Sequence, residues 1–277
     1  MTLCEAYAYG QEQLKNAEIE DAALDAWYLL EFATGISRAQ YFMCMDAEMT
    51  QEQEVQYRTN IDKRTSRIPL QHLVGTQAFM GLDFEVNEHV LIPRQDTEVL
   101  VEAVLKDLKP GMKVLDMCTG SGCILISLLK LADGVQGSGI DLSEEALKVA
   151  KRNADKLGVA ASFLHSDLFE KVEGRYDIIV SNPPYIRTDV IRGLQEEVRL
   201  HDPFMALDGK EDGLYFYREI VRESVNHLEK NGRLYFEIGH DQGEDVRELM
   251  EEAGFCDVTV KKDLAGLDRV VFGVYIE

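Results

Sequence analysis

The stretch Asn182-Pro183-Pro184-Tyr185 closes the apolar run Tyr176 to Ser181 and carries the residue types needed to hold an NH₂ group still. An Asn side-chain oxygen and a backbone carbonyl fixed by consecutive prolines can accept the two hydrogens of one planar nitrogen, while an aromatic ring covers its face. That arrangement suits methyl transfer to an amide or amino nitrogen. The same four residues also read as an ordinary turn after a buried strand, so the motif needs support from its surroundings.

Support lies upstream, where Lys113 to Met117 runs into Cys118-Thr119-Gly120-Ser121-Gly122-Cys123 and then the helical pattern Ile124 to Leu131. A strand entering a glycine-rich turn and a helix is a cofactor-binding arrangement. Its neighbours in the chain are consistent with that: Asp116 ends the first strand, Asp141 the second and Asp167 the third, and Asn182 follows the fourth. In a doubly wound sheet, ligands collect at these carboxyl ends. Asp141 falls about 20 residues past the glycines, where an acid takes both hydroxyls of a ribose. Asp167 suits an exocyclic adenine amine, with the Leu168 main chain and Phe169 beside the ring; the competing reading is a turn or helix cap.

The glycine turn has Leu125 where the dinucleotide fingerprint has its third glycine, and no Walker lysine follows. What does fit is Asp-x-x-x-Gly-x-Gly, then a ribose acid, an adenine acid and Asn-Pro-Pro-Tyr, the pattern of a methyltransferase using S-adenosylmethionine. The cofactor set is Asp116, Thr119, Gly120, Gly122, Asp141, Leu142, Asp167, Leu168 and Asn182.

The elements that position these residues follow from periodicity. Strands are expected near 113–117, 136–141, 161–165, 176–181 and 232–238, and helices near 122–132, 144–157, 211–229 and 242–254, giving an α/β doubly wound sheet. Asp257 to Lys262 and Arg269 to Tyr275 are too close for a crossover helix and should form an antiparallel hairpin at one end of the sheet. Residues 2–67 have apolar positions at helical spacing (Leu24, Trp27, Tyr28, Leu30, Ile36, Tyr41, Phe42), and residues 69–91 read as a β-hairpin around Gly81. Three regions result: a helical domain over 1–68, a hairpin connector over 69–92 and a catalytic domain over 93–277.

With 277 residues, 45% of them hydrophobic, the chain can bury a substantial core. No apolar stretch nears the roughly 18 residues of a membrane span, and the N-terminus lacks the regions of a signal peptide, so a cytoplasmic protein is expected. The five scattered cysteines include no Cys-x-x-Cys pair, which points to a reduced chain without a metal. Cys118 and Cys123 are read as small residues packing under the turn. A net charge of −21 disfavours nucleic acid as partner, since Lys and Arg supply most of the affinity for phosphate.

The chain resembles the bacterial protein-(glutamine) methyltransferases that modify peptide chain release factors on the Gln of their Gly-Gly-Gln loop. The likeness spans Pro69-Leu70-Gln71 with Gly75, Phe79 with Gly81, and Leu91-Ile92-Pro93-Arg94-Gln95-Asp96-Thr97-Glu98. It continues through Asn182-Pro183-Pro184-Tyr185, Pro203 to Leu207, Asp212-Gly213-Leu214, Glu237-Ile238-Gly239 with Gln242, and Asp263 to Arg269. Gln95, His72 and Lys210 depart from the usual pattern, outside the nucleotide and amide contacts. The resemblance implies a helical domain joined by a hairpin to a Rossmann-like methyltransferase sheet.

For a carboxamide substrate, Asn182, Pro183 and Tyr185 are the catalytic candidates, and Asn182, Pro183, Pro184 and Tyr185 hold the amide. The resemblance adds Phe79 and Arg94 on the substrate side; the competing readings there are an Arg94–Glu98 ion pair and helix capping by Asp96 or Thr97. Glu237 and Asp268 are open between site and scaffold. A monomer acting on release factors is expected, without nucleic acid or membrane. The alternatives are a ribosomal-protein glutamine methyltransferase, a nucleic-acid amino-methyltransferase and a non-catalytic cofactor-binding module.

Overall fold

The computed structural model describes residues 1–276. Two compact units emerge: residues 1–76 with 195–201, and residues 77–194 with 202–276.

The first unit is helical. Its elements are α1 (Leu3–Asn16), α2 (Ala22–Thr34), α3 (Arg38–Cys44), α4 (Gln51–Thr65) and α5 (Leu70–Val74), joined by residues 196–201. Thr2, Ser37 and Thr50 each accept from the N3 backbone N–H while a Glu or Gln at N3 reaches back, so three helices begin on capping boxes. The core gathers Leu14, Trp27, Leu29, Leu30, Tyr57 and Ile61. Only part of the expected apolar pattern points inward: Trp27, Leu30 and Tyr41 are buried, whereas Leu24, Tyr28 and Phe42 are exposed. Helix α2 is apolar on both faces, and the strip Leu24, Tyr28 and Phe32 stands in solvent.

Residues 70–74, expected within the hairpin, form helix α5 instead, and the hairpin is confined to β1 (Thr76–Phe79) and β2 (Leu82–Glu85) around Met80 and Gly81, both at positive φ as a two-residue hairpin turn requires; from Gln77 onward it belongs to the second unit. After α6 (Glu98–Leu105) come β3 (Lys113–Met117), α7 (Cys123–Leu131), β4 (Gln136–Asp141), α8 (Glu144–Leu157), β5 (Ser162–His165) and β6 (Tyr176–Ser181). Short helices α9 (Glu196–His201) and α10 (Phe204–Leu207) precede α11 (Tyr215–His227), β7 (Leu228–Glu237), α12 (Gly243–Glu252), β8 (Phe255–Lys262) and β9 (Asp268–Tyr275).

These seven strands form one sheet in the order β5-β4-β3-β6-β7-β9-β8. Strands β3 to β7 are parallel, and β9 runs antiparallel between β7 and β8, so the last hairpin sits at the sheet edge as its short connection dictates. The chain leaves β3 toward β4 and β5, then crosses back to β6 and β7, which places the topological switch point beside β3. Alternation along β3 sends Val114 into the cluster under α6 and α7 and Leu115 into the cluster under α11 and α12. The sheet is covered on both faces, as a parallel sheet needs.

Candidate active site

The crevice opens at the carboxyl ends of β3, β4 and β6. Among the sequence-derived residues, Thr119, Gly120, Asp141, Leu142, Asp167, Leu168, Asn182, Pro184 and Arg94 line it together. Cys118 also lines it and, like Leu168, holds a left-handed φ that only a tightly constrained turn imposes on a side-chain-bearing residue. Gly122 caps α7 at φ 79°; a Cβ there would lie 2.8 Å from Ile126 and 3.2 Å from Ala150, so the bare backbone lets α7 start against α8.

Asp141 is tied from both sides. One carboxylate oxygen accepts from the Gly120 N–H at 2.8 Å and the other from the Ser143 N–H at 2.8 Å. Burial raises its pKa, opposed by the backbone N–H groups of Ser143, Gly120 and Leu142. Each oxygen keeps a lone pair, which is the acceptor arrangement for two vicinal hydroxyls. Asp167 is exposed at the rim, two residues past β5. The apolar walls, including Ile140, Leu142 and Leu168, suit the flat face of a purine. These acceptors and apolar walls therefore fit a nucleoside.

Gly122, Pro183 and Tyr185 are not among the residues lining the crevice, Gly122 capping α7 and the other two sitting in the loop behind Asn182, and three further expected residues lie elsewhere. Asp116 is completely buried beneath the crevice and accepts from the Thr119 hydroxyl at 2.6 Å, so it braces the turn from below. Phe79 is 1% exposed and packs edge-on against Phe84 in the core; it is a packing residue, with no face left for a substrate. Phe169 is buried and stacked on His227, with ring centroids 4.9 Å apart, and does not face the crevice.

The Asn-Pro-Pro-Tyr loop is held from behind. Pro183 and Pro184 are buried, and Tyr185 packs on the cluster under α11 and α12. Gln242 donates to the Tyr185 carbonyl at 3.1 Å and the Gly213 carbonyl at 3.2 Å, while its own oxygen accepts from Gly239 N–H at 2.9 Å. A Cβ at Gly209 would sit 2.7 Å from the Tyr185 backbone, so glycine is what lets that segment close on the loop. Asn182 turns its amide nitrogen toward the Thr97 hydroxyl at 3.5 Å.

Arg94 pairs with the buried Asp202 at 2.7 Å, and Glu98 instead accepts from the Met80 N–H at 2.6 Å, so the Arg94–Glu98 pair does not form. Thr97 starts α6 without a side-chain cap, and Asp96 pairs with Arg269 at 3.3 Å. Burial pushes the Cys118 thiol far up and that of Cys123 to about 12, which keeps both protonated and removes them as nucleophiles. Gln242, Gly209 and Thr97 carried no residue-level signal of a site; only their place in the likeness marked Gln242 and Thr97.

A crevice at the switch point lined by Asp141, Asp167 and Asn182, beside an Asn-Pro-Pro-Tyr loop held by Gln242, is the arrangement of a methyltransferase. The family model of the PrmC N-terminal domain matches residues 5–75, and that of the methyltransferase small domain matches residues 94–198. The release factor glutamine methyltransferase of Caulobacter vibrioides is 40% identical over 279 residues, covering 99% of this chain and 96% of that protein. The one from Geobacter sulfurreducens is 42% identical over 261 residues, covering 94% and 92%. A solved methyltransferase from Pyrococcus furiosus, 17% identical, shares the fold with a TM-score of 0.56 over 78% of this chain and 100% of that one. The chain belongs to the family of release factor glutamine methyltransferases.

Proposed function

We propose that this chain transfers the methyl group of S-adenosylmethionine to the side-chain amide nitrogen of the Gln in the Gly-Gly-Gln loop of peptide chain release factors, leaving S-adenosylhomocysteine. The observation that carries this reading is Asn182 on the crevice wall, in a loop whose two prolines are buried and whose Tyr185 carbonyl is clamped by Gln242.

Asp141 would hold the ribose hydroxyls and Asp167 the adenine amine, with Gly120 keeping the turn open beneath the ligand. Bound there, the sulfonium supplies an electrophilic methyl group. The chain's own task is to present the nucleophile. A carboxamide lone pair is delocalised into its carbonyl, so the nitrogen is a poor nucleophile unless its geometry is imposed. The Asn182 oxygen and the Pro183 carbonyl accept the two amide hydrogens and favour the positive charge that develops on nitrogen. Tyr185 covers the amide plane and excludes water. The nitrogen becomes acidic on transfer, so its proton leaves without a dedicated base.

The helical unit would capture the whole release factor through the solvent-facing strip Leu24, Tyr28 and Phe32. The net charge of −21 favours a protein over a nucleic acid as substrate, and the chain is read as a cytoplasmic monomer. Among the described residues, no helix is long and apolar enough to cross a membrane.

The test is transfer of labelled methyl from S-adenosylmethionine to purified release factor, a variant with its loop Gln replaced, a ribosomal-protein mixture and duplex DNA. Label is expected on release factor alone and lost with the Gln. Asn182→Ala should lower turnover on the order of 10²-fold or more, a larger loss than any in cofactor affinity. Label on ribosomal protein or DNA would transfer the reading to one of those substrates.

A further inference from the structure

An Asn amide has two nearly isosteric orientations related by a half-turn about its last side-chain bond, and only its hydrogen-bond partners choose between them. Asn182 needs its oxygen toward the substrate. The wrong orientation would offer NH₂ to NH₂, so something in the protein must fix the choice.

Register places that something beside it. Strands β6 and β7 are parallel with Ser181 opposite Phe236, so the next residues, Asn182 and Glu237, are lateral neighbours at the strand ends. Glu237 is 2% exposed, its Oε2 makes no hydrogen bond, and its backbone carbonyl is taken by the Tyr217 hydroxyl at 2.9 Å. Thr97, also 2% exposed, lies beside them: its hydroxyl oxygen accepts from Asn182 Nδ2 at 3.5 Å, and its hydroxyl favours the charged form of Glu237. An ionised carboxylate can only accept. It therefore calls for O–H from Thr97 and N–H from Asn182, and both demands turn the Asn182 oxygen outward.

We propose that Glu237 and Thr97 are positioning residues that lock the Asn182 amide with its oxygen facing the substrate nitrogen. This rests on the reading of Asn182 as the amide acceptor. Protonated, Glu237 gains a donor that can satisfy the Asn182 oxygen instead, which would release the flipped amide. Burial pushes the Glu237 carboxyl up to about 7, with the neighbouring Thr97 hydroxyl, the charge of Arg269 and the neighbouring Asn182 amide pulling down and Asp96 pushing up. The other titratable groups that feel it are Cys123, Tyr185 and Tyr217, all with raised pKa values, so none of them changes charge near neutrality. Arg269 is held by Asp96, Asp263 and the Ile238 carbonyl. Asp116, also pushed up to about 7, lies under the cofactor turn.

The experiment compares wild type, Glu237→Gln, Thr97→Val, Thr97→Ser and Asn182→Ala in single-turnover methyl transfer to release factor at saturating cofactor across the neutral range. Cofactor affinity and urea unfolding are measured alongside. Glu237→Gln and Thr97→Val should each slow transfer about tenfold or more, a fraction of the effect of removing the acceptor itself. Cofactor affinity and release-factor KM should hold, and Thr97→Ser should restore the wild-type rate. The wild-type rate should fall on acidification through about pH 7, the value to which Glu237 is raised, and Glu237→Gln should abolish that limb. Wild-type rates in both variants, an unchanged limb in Glu237→Gln, or equal losses of rate and cofactor affinity would overturn the proposal. A fully active Asn182→Ala would instead remove the amide-acceptor reading beneath it.

Discussion

Asp116 has a carboxyl with no route to solvent. It is 0% exposed, one oxygen is spent on the Thr119 hydroxyl, the other makes no hydrogen bond, and burial pushes its pKa up to about 7. The sign for stability follows directly. From about pH 4 to about pH 7 the unfolded chain has released this proton while the folded chain retains it, so this group's contribution is present at low pH and lost as pH rises. Asp116→Asn removes that loss. Its stability gain over wild type should be small near pH 4 and grow to a few kcal/mol, as an order of magnitude, by about pH 8. Urea unfolding at the two pH values checks this, and equal gains at both would contradict the buried-charge account.

At the scale of elements, the helical unit contains a buried charge cluster that periodicity does not announce. Arg64 of α4 contacts Asp25 of α2 at 2.7 Å and Glu197 of α9 at 3.1 Å, with all but Glu197 buried. Burial raises the Asp25 pKa despite the hydrogen bond and charge of Arg64, which shows how strongly that carboxylate needs its partner. Arg64→Ala should therefore cost about 3 to 5 kcal/mol in unfolding free energy. The paired replacement Arg64→Met with Asp25→Asn should recover part of it, because no charge is then left unpaired in the interior. A single variant as stable as wild type would show that the cluster carries no net stability.

At the scale of the whole molecule, the prediction concerns division of labour between the two units. Replacing Leu24, Tyr28 and Phe32 together by Ser removes an apolar strip that the helical core does not use. The release-factor KM should rise about tenfold, equivalent to about 1.4 kcal/mol of lost binding, while cofactor affinity and turnover at saturating substrate hold. Steady-state kinetics with whole release factor and with a short Gln peptide separate the cases: the peptide should be indifferent to the change. A KM for release factor that stays at the wild-type value would remove the helical strip from substrate capture.

The strands, helices and closing hairpin of the methyltransferase sheet were legible in the sequence because each is a local pattern: apolar runs bounded by turns, helical spacing, and a connection too short for a crossover. The acids at the strand ends and Asn182 were legible for the same reason, since a parallel sheet brings its carboxyl ends together whatever the side chains. What the tertiary structure decided was which of those residues face the crevice. Asp116 is the penultimate residue of β3 and Asp141 the last of β4, yet one lies sealed under the turn and the other lines the crevice; Phe79 and Phe169 are taken up in packing. It also decided the partners of the motif. Gln242 and Gly209 are distant in sequence from Tyr185, and Glu237 becomes the neighbour of Asn182 only through the register of β6 on β7. Local pattern determines what an element is; long-range pairing alone determines which side chains meet, because burial and hydrogen-bond partnership exist only once distant segments share a surface.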